Sequence, residues 1–421
     1  MFTNSLYKFS DLYDMNSGIS SKPEQFGHGY PFLSFSTVFK GHFLPDELPD
    51  LMDISEKDKD VYSIKEGDIF LTRTSETLDE LAMSSVSIKD YPVASFSGFL
   101  KRLRPKQKNI TYHKFMAFYL RSELFRTAMN NNATMTLRAS LNEQIFSYLE
   151  LILPPYEDQK TIGDFLYQLN QKIELNNNIN TELRSITNTL YNYWFEQFDF
   201  PDKNGKPYKT SGGKMIWNNE LKREIPDGWS NATLLNNSLT AIIKPGIDEF
   251  SGKKKYLATA DINNNDVGLG NEITFTKRES RANMQPVKNS IWFAKMKNSR
   301  KHLFVGQKSN DIISKNILST GFMGLSCNEI AFEYLAGYIT SDVFEITKDI
   351  VSHGATMQGI GNDDLKFFKI IIPDTDNIIN FKKSTSAIYE KMEVNRIENQ
   401  KLTELRDWLL PMLMNGQVKL N

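Results

Sequence analysis

The chain of 421 residues has a single cysteine, Cys327, and five histidines. One thiol excludes an intramolecular disulfide framework and a cysteine-built zinc site. His28, His42, His113, His302 and His353 are scattered without metal-ligand spacing, so no metal site is expected. No run of about 18 apolar residues occurs, so no membrane-spanning helix is expected. The first ten residues lack the apolar core of a secretory leader, and the expected compartment is the cytosol. An excess of either charge is missing too: 50 Lys and Arg stand against 51 Asp and Glu. That balance argues at first against nucleic acid, whose partners are usually basic.

What the sequence does contain is itself, twice. Lys172-Ile-Glu-Leu-Asn176 returns as Lys391-Met-Glu-Val-Asn395, 219 residues later. The same offset carries Pro154 to Pro373 and Arg121-Ser-Glu-Leu-Phe125 to Thr340-Ser-Asp-Val-Phe344. Offsets of 222 or 223 relate Ala133-Thr-Met135 to Ala355-Thr-Met357, Gly67-Asp-Ile-Phe70 to Asn289-Ser-Ile-Trp292, and Gly98-Phe99 to Gly321-Phe322. Several matches in one order and nearly one spacing indicate a tandem duplication of a domain-sized unit. Each copy runs from a strand-rich stretch punctuated by Gly and Pro, through a short helical pattern (112–129 and 329–348), to a strand ending in proline (148–155 and 366–373). A long helical pattern closes each copy, at 156–197 and 378–414. Between the copies, 199–229 is rich in Gly, Lys, Asn and Pro and reads as an extended connector.

Each long helix carries a heptad seam. In the first it is Ile162, Leu166, Leu169, Ile173, Leu183, Leu190 and Trp194, interrupted by Asn176, Asn180 and Thr187. The second has Ile388, Met392, Leu402, Leu409 and Leu413, interrupted by Asn395, Asn399 and Arg406. Asn176 and Asn180 flank the midpoint of the first seam. An antiparallel pairing about a pseudo-twofold axis therefore sets Asn176 beside Asn399 and Asn180 beside Asn395. Polar residues at such positions fix register at a cost in stability. Thirty-two steps of 1.5 Å give a rod of roughly 48 Å. The expected architecture is α+β: two similar globular units held apart by an antiparallel two-helix coiled coil. A rigid spacer between two readers suits DNA, where half-site spacing is a geometric quantity.

The balanced charge hides a division. Residues 241–315 hold 14 basic and 7 acidic residues, whereas 156–200 hold 3 and 7. The basic stretch includes Lys253, Lys254, Lys255, Lys295, Lys297, Arg300 and Lys301; copy one has Lys101, Arg102, Arg104, Arg73 and Arg138. Such clusters can contact phosphates and base edges, although charge runs are often no more than solvated faces. Arg73 and Lys295 are equivalent at offset 222 and are the first candidates for DNA contact.

Catalytic signals are weak. Leu153-Pro-Pro-Tyr156 is similar to an amino-methyltransferase loop, but Leu153 supplies no side-chain acceptor and no glycine-rich cofactor loop precedes it. Pro201-Asp202 with Glu220-Leu-Lys222 mimics a nuclease metal motif but falls in the connector. Ser211-Gly-Gly-Lys214 lacks the phosphate-loop frame. Trp194 and Trp408 read as packing residues. No catalytic residue is assigned.

The run Leu151-Ile-Leu-Pro-Pro-Tyr-Glu-Asp-Gln-Lys160, continued by Leu190-Tyr-Asn-Tyr-Trp-Phe195, Phe198-Asp-Phe-Pro201, Gly205-Lys-Pro-Tyr208 and Leu221-Lys-Arg-Glu-Ile-Pro-Asp-Gly-Trp229, resembles the specificity (S) subunits of type I restriction–modification systems. Copy two departs where it reads Asp374-Thr-Asp-Asn-Ile-Ile in place of Pro155-Tyr-Glu-Asp-Gln-Lys160 at its helix entry. The resemblance implies two target recognition domains, 1–155 and 229–373. It also implies conserved spacer helices at 156–198 and 374–421, joined through the connector 199–228. Each domain would read half of an interrupted double-stranded DNA target. The helices would dock two methyltransferase (M) subunits, and restriction (R) subunits would join them. The chain itself would be non-catalytic and without cofactor, with S-adenosylmethionine, ATP and Mg²⁺ belonging to the partners. The alternative is a stand-alone nuclease or methyltransferase with a fused DNA reader.

Overall fold

The computed structural model describes residues 4–20, 22–75, 80–132, 139–141 and 143–420. Its packing forms two units, Met1–Lys172 with Leu402–Asn421, and Ile173–Lys401. The sequence placed each long helix in a segment of its own; packing instead divides each helix between both units. The reason is apolar. Ile162, Leu166, Leu413 and Met414 close the core of the first unit, while Tyr191, Trp194, Phe195 and Phe381 close that of the second. Neither core would exclude water without its helix segments.

The first unit is built on an antiparallel sheet in the spatial order Tyr13–Ser17, Leu100–Pro105, Ile69–Thr72, Ser84–Val86. The second repeats it: Thr240–Ile243, Phe322–Cys327, Ser290–Ala294, His302–Val305, again antiparallel throughout. A smaller sheet recurs as well. It contains a parallel pair in each unit, Phe26–Leu33 with Ser95–Phe96 and Lys254–Leu257 with Asn316–Ser319. The strand preceding each long helix pairs with the strand that opens its unit, Glu150–Leu153 with Ser5–Lys8 and Lys369–Ile372 with Ser230–Thr233. The duplication therefore extends to strand order, direction and pairing.

The short helical patterns each divide in two, His113–Tyr119 and Glu123–Asn132 in the first unit, Phe332–Thr340 and Asp342–Val351 in the second. Ser341 ends one helix and caps the next, its Oγ accepting the Phe344 N–H. That is what a hydroxyl at an N-cap does for an orphan donor. The connector is not extended. Met215–Asn218 and Arg223–Pro226 form a hairpin. Phe200 stacks between Tyr208 and Trp229, at centroid distances of 4.7 and 4.9 Å. These three rings outweigh the Gly and Asn content, because stacked rings bury large areas.

The long helices span Tyr156–Tyr191, 36 residues, and Thr375–Met414, 40 residues. Within the second unit they run antiparallel. Asn176 Nδ2 donates to Asn399 Oδ1 at 2.9 Å, and Asn395 Nδ2 donates to Asn180 Oδ1 at 2.8 Å. Trp194 meets Phe381 edge-on at 5.4 Å, in the same register. Asn177 joins the cluster by accepting from Asn399 Nδ2. The helix pair therefore has a polar centre: Asn176, Asn180 and Asn395 are buried, while Leu183 and Leu190 are half-buried. Trp194 is packed in the core, but Trp408 is 66% exposed.

Candidate nucleic-acid interface

The two lead candidates end equivalent strands. Arg73 follows Ile69–Thr72 and Lys295 follows Ser290–Ala294. Each is clamped through its backbone on both sides. The Arg73 N–H donates to Phe99 O at 2.9 Å, and its carbonyl accepts from Leu141 N at 2.8 Å. The Lys295 N–H donates to Gly321 O at 3.0 Å, and its carbonyl accepts from Ile360 N at 3.0 Å. The partners are equivalent too: strand pairing matches Phe99 with Gly321 at offset 222, one residue from the 223 expected of the Gly-Phe motif, and Leu141 lies 219 residues before Ile360. Both copies thus fix a basic residue where three loops meet, with its main-chain groups satisfied and its side chain left over.

The Arg73 side chain is exposed. Lys295 is half-buried, and burial lowers its ammonium pKa below the ordinary lysine value. Among the described residues no acid pairs with either. A partly dehydrated cation without a counter-ion gains from an anionic partner. Around Lys295 the chain is tightly laced: Lys297 N–H donates to Gln358 O, and Asn298 N–H to the Asp349 carboxylate at 2.8 Å. Asn298 takes a left-handed φ of 57°, which asparagine tolerates well. The Ala355-Thr-Met357 segment, one of the repeated motifs, therefore lies in the loop beside this basic stretch.

The other candidates divide. Lys297 and Arg300 are exposed, and Arg300 reaches Asp342 at 3.0 Å. Lys301 donates to Thr259 O. Lys253 is exposed and pairs with Glu272 at 2.7 Å, Lys254 lies over the Phe250 ring at 4.9 Å, and Lys255 is half-buried. The cluster in copy one is a different matter. Lys101 and Arg102 are buried, the first donating to Ser17 Oγ and the second to the carbonyls of Val61 and Ser63. Arg104 grips the fully buried Asp68 through two bonds of 2.7 and 2.6 Å. These three belong to a strand covered on both faces, so they serve the domain's interior and are not a surface patch. Arg138 lies outside the described residues.

The decoys resolve locally. Asp202 accepts from the Asn204 and Lys206 N–H groups and shapes a turn. Glu220 pairs with Lys369 at 3.0 Å. The two carboxylates of the nuclease-like motif have separate tasks.

Sequence periodicity missed the outward side of the long helices. Leu175, Ile186 and Val394 in the second unit are exposed, as are Leu405 and Trp408 in the first. These residues lie off the paired seam and leave apolar surface on helices that already have a partner. A count of apolar residues outside the seam would have revealed them.

A type I restriction modification DNA specificity domain matches residues 6–185. The chain is 23% identical to the type I restriction enzyme HindI specificity subunit of Haemophilus influenzae, over 98% of this chain and 99% of that protein. It is 22% identical to the MjaIX specificity subunit of Methanocaldococcus jannaschii, over 79% of this chain and 75% of the relative. Among solved structures, the S subunit of a type I restriction-modification system from M. genitalium covers 98% of this chain at a TM-score of 0.54 and 14% identity; the match spans 96% of that subunit.

Proposed function

Because the chain belongs to the family of type I restriction–modification specificity subunits, we propose that each unit reads one half of a bipartite, interrupted DNA sequence. The observation that carries this reading is the repeated clamp: one fold, used twice, holds Arg73 and Lys295 at the same junction of loops. A basic side chain on a rigidly held backbone suits phosphate contact, which fixes register before bases are read. Lys297 and Arg300 extend that contact in the second unit, with Lys253 to Lys255 as a further strip.

The long helices dock methyltransferase subunits in this reading. Their exposed apolar residues, Leu175, Ile186, Val394, Leu405 and Trp408, supply the surface. The amide pairs Asn176–Asn399 and Asn180–Asn395 set the register of the helices and with it the spacing of the half-sites. Chemistry resides in the partners, which carry S-adenosylmethionine, ATP and magnesium, while restriction subunits complete the assembly. A chain with a net charge of −1 also relies on its partners for much of its grip on DNA.

The test combines sequencing of methylated DNA with binding. In cells carrying this chain and its M partner, exchange of residues 1–150 for those of a relative is expected to change one half-site only. A change in both would break the modular picture. In the purified complex, Arg73→Ala and Lys295→Ala are each expected to weaken all DNA sequences alike and to reduce the salt slope by about one. Unchanged affinity and slope in both variants would remove these residues from the interface.

A further inference from the structure

The second unit contains a cavity of about 240 Å³ where its sheet meets the second long helix. Phe304, Phe332 and Tyr389 form apolar walls, and Glu333, in the first turn of helix Phe332–Thr340, lines it as well. Glu333 is only 6% exposed, and its Oε2 is buried without a hydrogen-bond partner. The neighbouring lysines are engaged elsewhere, Lys308 with Glu390 at 2.7 Å and Lys382 with Glu329 at 3.5 Å. A carboxylate oxygen buried without a hydrogen-bond partner is costly and favours a proton or a cation beside it.

The first unit shows what is missing. At offset 219, Glu333 corresponds to Lys114 and Ser386, which also lines the cavity, to Tyr167. In the first unit the Lys114 ammonium lies 4.4 Å from the centre of the Tyr167 ring and 2.9 Å from Asp164. Tyr167 also meets Phe43 edge-on at 4.8 Å. There the chain fills the site with its own ring and its own cation. In the second unit both are gone: serine replaces the ring, and a carboxylate replaces the cation.

We infer that this cavity binds one organic cation, an aliphatic ammonium or guanidinium group whose stem lies against the aromatic walls and whose charge meets Glu333. Glu329, Glu390 and Glu393 line the cavity as well, but they are held by Lys382, Lys308 and Arg396, so Glu333 alone is left without an ion pair. That suits an organic cation among rings better than a metal ion, which takes several oxygen ligands. Burial raises the Glu333 pKa, although its own backbone N–H and the charge of Lys382 act in the opposite sense. The cation arrives either as a free amine or as a basic side chain of a partner subunit; the chemistry is the same.

The test uses the full chain, n-butylammonium, and 1-butanol as the neutral isostere, followed by calorimetry. The wild type is expected to prefer the cation by about tenfold or more. Glu333→Gln removes the charge, and Ser386→Tyr restores the ring of the first unit; each is expected to abolish the preference. Ser386→Tyr leaves the carboxylate in place, so it decides the matter if Glu333→Gln fails to fold. Equal binding of both probes by the wild type overturns the inference, as does a preference retained by a folded variant. The source is separated by adding the M subunit: Glu333→Gln weakens its association if a partner side chain fills the cavity, and leaves it unchanged if a free amine does.

Discussion

The two units share a strand order but fill it with different chemistry. In the first, Asp68 and Arg104 face each other across the sheet as an ion pair whose carboxylate is fully buried and whose guanidinium is half-buried. In the second the same two positions are Ser290 and Ser326. Two residues along, Phe70 pairs with Arg102, whereas Trp292 pairs with Gly324. A Cβ added at Gly324 would sit 2.4 Å from the Trp292 ring, so the larger ring occupies the space that the arginine fills in the other copy. The copies have changed by paired exchange across a ladder: an ion pair in one is two hydroxyls in the other, and a ring beside an arginine is a larger ring beside a glycine.

That comparison can be broken at several points. The largest effect is expected for Arg104→Ser, which strands the buried Asp68 and costs about 3–5 kcal/mol in urea unfolding. Asp68→Ser with Arg104→Ser copies the second unit and should cost clearly less; an equal loss would show that the serine pair depends on other features of its own copy. Next comes Gly324→Ala, expected to destabilise by about 1–3 kcal/mol through overpacking. Trp292→Phe, copying Phe70, should restore most of the loss, and failure to do so would refute the volume exchange.

Near neutral pH the smallest effect is that of a histidine. Burial, aided by Arg121 and Arg406, lowers the His42 pKa to about 3. Its unfolded form takes up a proton below about pH 6.5, and the folded form does not. Stability from this site is present above that pH and declines as pH falls towards 3, by about 1.4 kcal/mol per unit at the steepest. His302 in the second unit lies instead against Glu345, at 2.9 Å. The His42→Gln variant should therefore flatten the acid limb of stability for the first unit alone, read by hydrogen exchange; an unchanged slope would reject the assignment.

Much of this was legible in the sequence. Helix periodicity over four or more turns leaves little freedom, and the asparagines stand out because a seam is otherwise apolar. They meet where the antiparallel arithmetic sets them. The repeat offset likewise located Arg73 and Lys295 together. Side-chain direction was not legible on the strand Leu100–Pro105, because a central strand covered on both faces has no alternation to read. Arg102 and Arg104 counted as surface charge until Asp68 and the carbonyls of Val61 and Ser63 came within reach. The connector misled in the opposite sense: composition recorded its glycines, while its fold depends on Phe200, Tyr208 and Trp229.

The two amide pairs between the long helices act as the teeth of a ratchet. They are four residues apart, one helical turn. A slide of one turn in one direction would bring Asn180 to Asn399 and leave Asn176 and Asn395 facing other neighbours; two turns would separate every pair. Each abandoned buried amide costs about 1–3 kcal/mol, so slippage is penalised by the click rather than all at once. A ruler made this way has discrete graduations, and its error is either zero or a whole turn of about 5.4 Å.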